Sequence, residues 1–124
     1  MASELSAFDV LKNIGMHPKY KGFKCILDIL RITCDNSECV YQMSRMVYPI
    51  LTEKYGCTKS SIERNIRFAI LRTWESGNAE TLKEFFGAYV RGWVPTNAEF
   101  IAVVTMYLTS GDNSEYEQLT LPVF

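Results

Sequence analysis

Charged and hydroxyl side chains are spaced through an otherwise apolar stretch, SSIERNIRFAI, at residues 60–70. In a helix, Ser60, Arg64 and Arg67 share one face and Glu63 lies on its flank. In a DNA major groove an arginine can donate two hydrogen bonds to guanine and a glutamate can accept one from cytosine, while a serine at a helix start can meet a phosphate. The same residues also suit an ordinary solvated helix face, on which Glu63 holds Arg67 four positions away.

The elements around this stretch predict a helix-turn-helix over residues 43–74. One face of the second helix must pack against the core; its members are Ile62, Ile66, Ala69, Ile70 and Thr73. A preceding helix is predicted to end at Tyr55, and the turn Gly56-Cys57-Thr58-Lys59 contains the glycine that commonly closes a helix. Ser60 and Glu63 predict a capping box at the start of the second helix. The second helix of this motif presents its first turns to DNA.

Helical spacing also organises the first 55 residues. An apolar stripe, ended by Gly15, consists of Leu5, Phe8, Leu11 and Ile14. A second helix is predicted around residues 23–30, and DNSE at 35–38 is a start signal for a third, with Asp35 or Ser37 as its cap. The third helical pattern has its apolar positions at Val40, Met43, Val47, Ile50 and Leu51. Within this pattern Pro49 either kinks the helix or begins a new one.

Two further helices are predicted after residue 76. Asn78 caps AETLKEFFG, and a second capping box, Thr96 with Glu99, precedes EFIAVVTMYL. Residues 110–124 are polar at first and are predicted to form a flexible or docked tail. We therefore expect residues 1–124 to form one all-α domain, a compact bundle of about six helices that contains the helix-turn-helix.

Charge is segregated along the 124 residues, whose formal net charge is −1. Residues 44–72 carry six basic and two acidic side chains, a balance of +4, whereas residues 73–124 carry two basic and seven acidic ones, a balance of −5. The first 43 residues have five of each. The positive excess therefore lies on the predicted helix-turn-helix, and the overall charge predicts only weak non-specific affinity for DNA.

Several other classes of protein are disfavoured by the sequence. No apolar run reaches the roughly 18 residues of a membrane span, and MASELSAFDV lacks the features of a signal peptide, so we expect a cytoplasmic protein without a membrane partner. The four cysteines do not have paired zinc-binding spacing, and His17 is the one histidine that could serve as a base. We expect no metal site, no cofactor and no enzymatic activity.

Beyond residue types, several stretches resemble a known family. They are IGMHPKYKGF, then VYP and KY before SSIERNIRFAI, then WESGN and FG, and finally PTNAEFIA, which together span roughly residues 8–108. In this order they resemble the C-terminal DNA-binding effector domain of the master response regulator of sporulation initiation, stage 0 sporulation protein A. The resemblance implies six helices and a recognition helix in the major groove of short promoter boxes, with dimers on tandem boxes.

Position by position, the resemblance assigns roles to several side chains. Glu63, Arg64 and Arg67 match residues that contact bases and phosphates, and Ser60 matches a contact at the helix start. The predicted DNA-binding set is completed by Lys59, Ser61 and Phe68. The resemblance also implies contact with the RNA polymerase sigma factor after the recognition helix, at Glu75, Ser76, Asn78, Glu80 and Lys83.

Three departures from the family pattern weaken the expected DNA contacts. Ser61 stands where the family usually has arginine and Phe68 where it has histidine, so two phosphate contacts are lost. The loop between Gly87 and Pro95 is about two residues shorter and lacks lysines.

We expect this chain to lack the family's receiver domain, since it begins at MASELS and no aspartate can be assigned the phosphoacceptor role.

Two functions remain open at this point. The first is a sequence-specific DNA-binding transcription regulator domain. The alternative is a protein-interaction module that kept the fold but lost box-specific DNA binding, for which Ser61, Phe68 and Leu71 on the exposed face and the acidic second half are the reasons.

Overall fold

A computed structural model describes residues 2–87 and 93–110 of the chain. Within these ranges there are six α-helices and no β-strand, which confirms the all-α prediction. The helices are α1 (Ala2–Asn13), α2 (Lys21–Asp35), α3 (Tyr48–Tyr55), α4 (Lys59–Ser76), α5 (Ala79–Phe86) and α6 (Asn97–Ser110). None of the described helices is long and apolar enough to cross a membrane. Apart from Ser110, the predicted tail at 110–124 lies outside the described residues.

Helix α2 is the centre of the bundle, because α1, α4 and α6 all pack against it. Its fully buried side chains include Phe23, Ile26 and Ile29, and the facing side of α4 buries Ile62 and Ile66. Burying a side chain of this size stabilises a fold by about 1.5–3 kcal/mol. The core therefore fixes α4 by its apolar face and leaves the opposite face of that helix outside.

The start of α4 differs from the predicted capping box. The N-cap is Thr58, which has an extended backbone and whose side-chain hydroxyl accepts the backbone N–H of Ser61 at 3.1 Å. The capping box of Ser60 and Glu63 is therefore wrong, and Ser60 lies inside the first turn of the helix. Before it, Gly56 closes α3 in the left-handed conformation, with φ of 63°, as predicted.

The segment between α2 and α3 is less regular than the apolar spacing predicted. A 3₁₀ segment (Ser37–Gln42) and a π-helical segment (Met43–Val47) lead into α3. Asn36, not Asp35 or Ser37, caps the 3₁₀ segment by accepting the Glu38 N–H at 3.2 Å. Pro49 lies in the first turn of α3, so it begins a helix instead of kinking one. The predicted stripe is wrong at Ile50, which is 51% exposed.

Helix α1 also buries a slightly different face from the predicted stripe. Its described buried side chains are Ala7, Val10 and Leu11, with Ile14 just beyond the helix, while Phe8 is 38% exposed. Phe8 still packs its ring edge-on against Phe23, with ring centroids 5.5 Å apart. The predicted place of Phe8 on the buried stripe is wrong.

Two turns touch through their backbones at one edge of the bundle. The N–H of Asn78, after α4, donates to the Ile14 carbonyl after α1 at 3.0 Å. A Cβ on Gly15 would lie 2.6 Å from the Gly77 Cα, and a Cβ on Gly77 would lie 2.5 Å from the Ile14 carbonyl oxygen. This contact requires that neither glycine carries a side chain.

Candidate nucleic-acid interface

The two faces of α4 are sharply divided by burial. Its five buried residues are the predicted apolar face: Ile62, Ile66, Ala69, Ile70 and Thr73. On the opposite side Ser60, Arg64, Phe68 and Leu71 are exposed, which places them along one outer stripe of the helix. This stripe, from Ser60 to Leu71, is called the outer face below.

The three arginines of α4 are in different situations. Arg67 is half-buried, and its Nη1 donates to the Pro95 carbonyl at 2.6 Å. Arg72 pairs with Glu75 at 3.3 Å. Across residues 2–87 and 93–110, Arg64 has no hydrogen bond, ion pair or ring contact, and its side chain is exposed. Arg64 is therefore the α4 arginine whose donors are all available to a ligand.

Glu63 does not form the ion pair with Arg67 that a solvated helix face predicts, within the described residues. Its backbone carbonyl accepts the side-chain amide of Asn97 at 3.1 Å, and this bond ties the second turn of α4 to the start of α6. The amide oxygen of Asn97 is buried without a partner in the described part of the chain. Together with the Arg67–Pro95 bond, this contact fixes α4 against the segment that enters α6.

The carboxylate of Glu63 acts on the neighbouring Tyr48. Burial, followed by the negative charge of Glu63 and that of Cys25, raises the pKa of Tyr48 to about 12. Lys59 lies on the same side of α4, where its Nζ donates to the Ser44 hydroxyl at 2.9 Å and sits 5.8 Å from the Tyr48 ring centroid. The Lys59 side chain therefore joins the start of α4 to the π-helical segment.

Phe68 lies at the edge of the outer face that is farther from Tyr48 and Lys59. It is 54% exposed, and its ring meets the ring of Tyr20 edge-on with centroids 5.5 Å apart. The Arg72 guanidinium lies over the other part of the same ring, 5.9 Å from its centroid. A shallow cleft beside this ring is also lined by Asn65 and Lys21. Ser61, predicted as a further contact, is half-buried beside the Thr58 cap.

A close helix crossing positions α4 on the bundle. Gly22, near the start of α2, faces the middle of α4, where a Cβ on Gly22 would lie 2.2 Å from the backbone oxygen of Asn65. Such a distance is far below a normal carbon–oxygen contact of about 3.3 Å. The absence of a side chain at Gly22 therefore allows the two backbones to touch.

A buried carboxylate positions α3, and sequence reasoning missed it. Asp28 of α2 accepts hydrogen bonds from Arg31 at 2.8 Å, from Lys54 at 3.0 Å and from the Tyr55 hydroxyl. Burial and the hydrogen bond to Asp28 raise the pKa of Tyr55. Burial first, then the charges of Asp28 and Cys57, raises the pKa of Cys25 to about 11. The sequence signal was an aspartate set among the apolar residues of α2.

The residues implied in sigma-factor contact lie around the junction of α4 and α5. Glu75 pairs with Arg72, and the Ser76 hydroxyl donates to the Arg72 carbonyl at 3.0 Å. Asn78 caps α5 by accepting the Thr81 N–H at 3.2 Å, while Glu80 and Lys83 are exposed. Three of the five positions therefore have local structural roles.

Comparison with protein families identifies a family that matches this chain. The family model described as sporulation initiation factor Spo0A C terminal matches residues 7–108, from α1 almost to the end of α6. The match includes α3, α4 and the segment that enters α6, and it covers most of the chain.

Proposed function

The chain belongs to the Spo0A C-terminal family of DNA-binding sporulation regulator domains, a regulatory and not an enzymatic family, and from that premise we propose that it binds specific promoter sequences. In this proposal α3 and α4 are the helix-turn-helix of a single domain. The observation that carries it is the exposed Arg64 on the outer face of α4, which has no partner in the described ranges. An α-helix with its side chains is about 10–12 Å wide and fits a major groove about 12 Å wide.

Each predicted contact takes a role from its position on α4. Arg64 reads a base, because its guanidinium is free to donate two hydrogen bonds to guanine. Ser60 and Ser61, in the first turn, face the phosphate that a helix N-terminus favours, and Lys59 adds positive charge beside them. Glu63 accepts from a cytosine amino group on the flank.

We assign Arg67 mainly to positioning. One of its N–H groups is already committed to the Pro95 carbonyl, and the side chain is half-buried. This bond and the Asn97–Glu63 bond together hold α4 at the angle from which Arg64 enters the groove. This positioning role differs from the base- or phosphate-contacting role that the resemblance implies for Arg67.

The proposal is tested by fluorescence-anisotropy titration against a duplex with the family's promoter box and a scrambled duplex, at two salt concentrations. The wild type should prefer the box by about tenfold or more. Arg64→Ala should lose about 1–3 kcal/mol on the box and relax selectivity at one base pair. The matched control is Arg72→Ala, which removes the same charge from the same helix but should keep the selectivity. Equal losses for Arg64→Ala on both duplexes would refute base reading.

A protein-interaction module is the second candidate, and one observation favours it. Phe68 is 54% exposed and Leu71 is 40% exposed, and the two side chains are neighbours on α4 at i and i+3. Under this alternative Phe68→Asp abolishes capture of a protein partner in a pull-down, and DNA binding of the wild type shows no box preference. An unchanged set of captured proteins would remove the candidate.

Contacts with the sigma factor and with a second copy belong to the same proposal. Exposed Glu80 and Lys83 on α5 are available to a sigma-factor surface, and tandem boxes would seat two copies side by side. Sedimentation of the domain on a duplex with one box and on a duplex with two measures the stoichiometry. A Glu80→Lys/Lys83→Glu variant that still binds purified sigma factor as the wild type does would exclude the α5 contact.

A further inference from the structure

A basic surface lies next to the outer face of α4 but belongs to a different part of the chain. The cleft beside Phe68 is also lined by Lys19, Tyr20 and Lys21, at the turn that leads into α2, and by Asn65 of α4. Both lysines are exposed, and neither amino group has a partner across residues 2–87 and 93–110. Lys19 and Lys21 are called the lysine pair below.

The placement of the lysine pair relative to α4 is fixed by packing. Tyr20, between the two lysines, meets the Phe68 ring edge-on at 5.5 Å. One residue further on, Gly22 lies against the Asn65 backbone with no room for a Cβ. Because these contacts join a helix start to the middle of α4, the lysine pair remains beside the outer face when α4 binds a ligand.

We propose that the lysine pair binds phosphates of the DNA strand that borders α4 on its Phe68 side. This inference rests on the proposed DNA-binding function and adds a second contact element to it. A helix in the major groove has a phosphate backbone on each flank. On the Tyr48 flank Lys59 carries the positive charge, whereas the Phe68 flank of α4 offers an aromatic ring and Arg72, which is paired with Glu75. The free positive charge on that flank comes from Lys19 and Lys21.

The chemistry of the pair matches a backbone contact better than a base contact. Each lysine is a flexible point charge, which suits a phosphate but does not discriminate between bases. Release of counterions makes each such contact add about 0.9 to the slope of log affinity against log salt. The lysine pair should therefore contribute to affinity on every duplex and hardly at all to sequence preference.

The test compares salt slopes for two double variants with the same loss of charge. Lys19→Gln/Lys21→Gln removes the lysine pair, and Lys12→Gln/Lys24→Gln removes two exposed lysines of α1 and α2 that do not line the cleft. Anisotropy titrations over a series of salt concentrations should give the first variant a slope shallower by up to about two on both duplexes. The control should keep the wild-type slope, and Lys19→Arg/Lys21→Arg should keep it as well.

The outcomes separate this inference from the proposed function. If both double variants give the same slope, the pair contributes only general charge and the inference is overturned. If Lys19→Gln/Lys21→Gln makes the salt slope shallower by the same amount on the box and scrambled duplexes, and box preference is retained, the phosphate role is supported. If the wild type has no box preference, base reading fails, and the slopes on the scrambled duplex still decide the role of the lysine pair.

Discussion

Replacing Gly22 with alanine is the most direct test of how α4 is positioned. The new Cβ would lie 2.2 Å from the Asn65 backbone oxygen and 2.8 Å from the Ala69 Cβ. A normal contact with that oxygen requires about 3.3 Å, so α2 and α4 must separate by roughly 1 Å. The obstacle is helix backbone, which cannot rotate away as a flexible side chain would.

The expected magnitude follows from two opposing effects. Overpacking of this kind costs about 1–3 kcal/mol, whereas glycine to alanine within a helix gains up to about 1 kcal/mol. The gain is small here because Gly22 is the second residue of α2, close to its start. We therefore expect Gly22→Ala to lower the free energy of unfolding by about 1–2 kcal/mol. Displacement of α4 should also reduce the preference for the box over the scrambled duplex.

Urea unfolding of wild type and Gly22→Ala, with equal slopes against denaturant, measures the stability change. The matched control is Lys24→Ala, two residues along the same helix at an exposed position, which should change stability by less than about 0.5 kcal/mol. Unchanged stability together with unchanged box preference in Gly22→Ala would show that the two backbones do not touch at this point.

Three other perturbations test separate features of the fold. Thr58→Ala should lower the free energy of unfolding in urea by about 1 kcal/mol because it removes the N-cap of α4, while Ser60→Ala should change it little. A larger loss for Ser60→Ala than for Thr58→Ala would instead support the capping box of Ser60 and Glu63. Asp28→Ala should cost about 1–2 kcal/mol, chiefly through the lost hydrogen bond from the Tyr55 hydroxyl, since all three donor side chains are more than a third exposed and water replaces the lost partner; an unchanged stability would contradict this. Stability should fall between pH 10 and about pH 12, because the unfolded chain releases the Tyr48 proton while the folded chain keeps it. Tyr48→Phe should recover about 1 kcal/mol of that loss at pH 11, relative to pH 8, and an equal alkaline loss in both proteins would refute the assignment.

Features with local causes were predictable from the sequence. The buried face of α4 follows from apolar residues at helical spacing, and the capping box of Thr96 and Glu99 is present with both reciprocal bonds, at 2.9 and 3.1 Å. Gly56 closes α3 because its left-handed backbone favours glycine. Each of these depends on residues within one or two helical turns, where spacing alone carries the information.

Features that depend on distant partners were not predictable. Arg67 bonds to a carbonyl 28 positions away, and Asp28 accepts from Lys54 across 26 positions. The start of α4 was predicted wrongly for a different reason. Threonine at 58 and serine at 60 are both good N-cap residues, and the extended backbone of Thr58 in the folded chain decides between them. Sequence spacing therefore located the helix that carries the site but not the contacts that aim its side chains.

The paired turns at Gly15 and Gly77 have a consequence for how this chain can vary. Their backbones press against each other, so the space for a side chain at either turn is occupied by the other turn. A replacement at one position cannot be rescued by a change at its partner, which has no side chain to shorten. In a library of random variants the two positions should therefore both stay invariant, whereas Gly56, with open space around it, should accept asparagine. Neither turn can therefore acquire a side chain by mutation. The segment between α4 and α5 is restricted in the same way as the segment between α1 and α2.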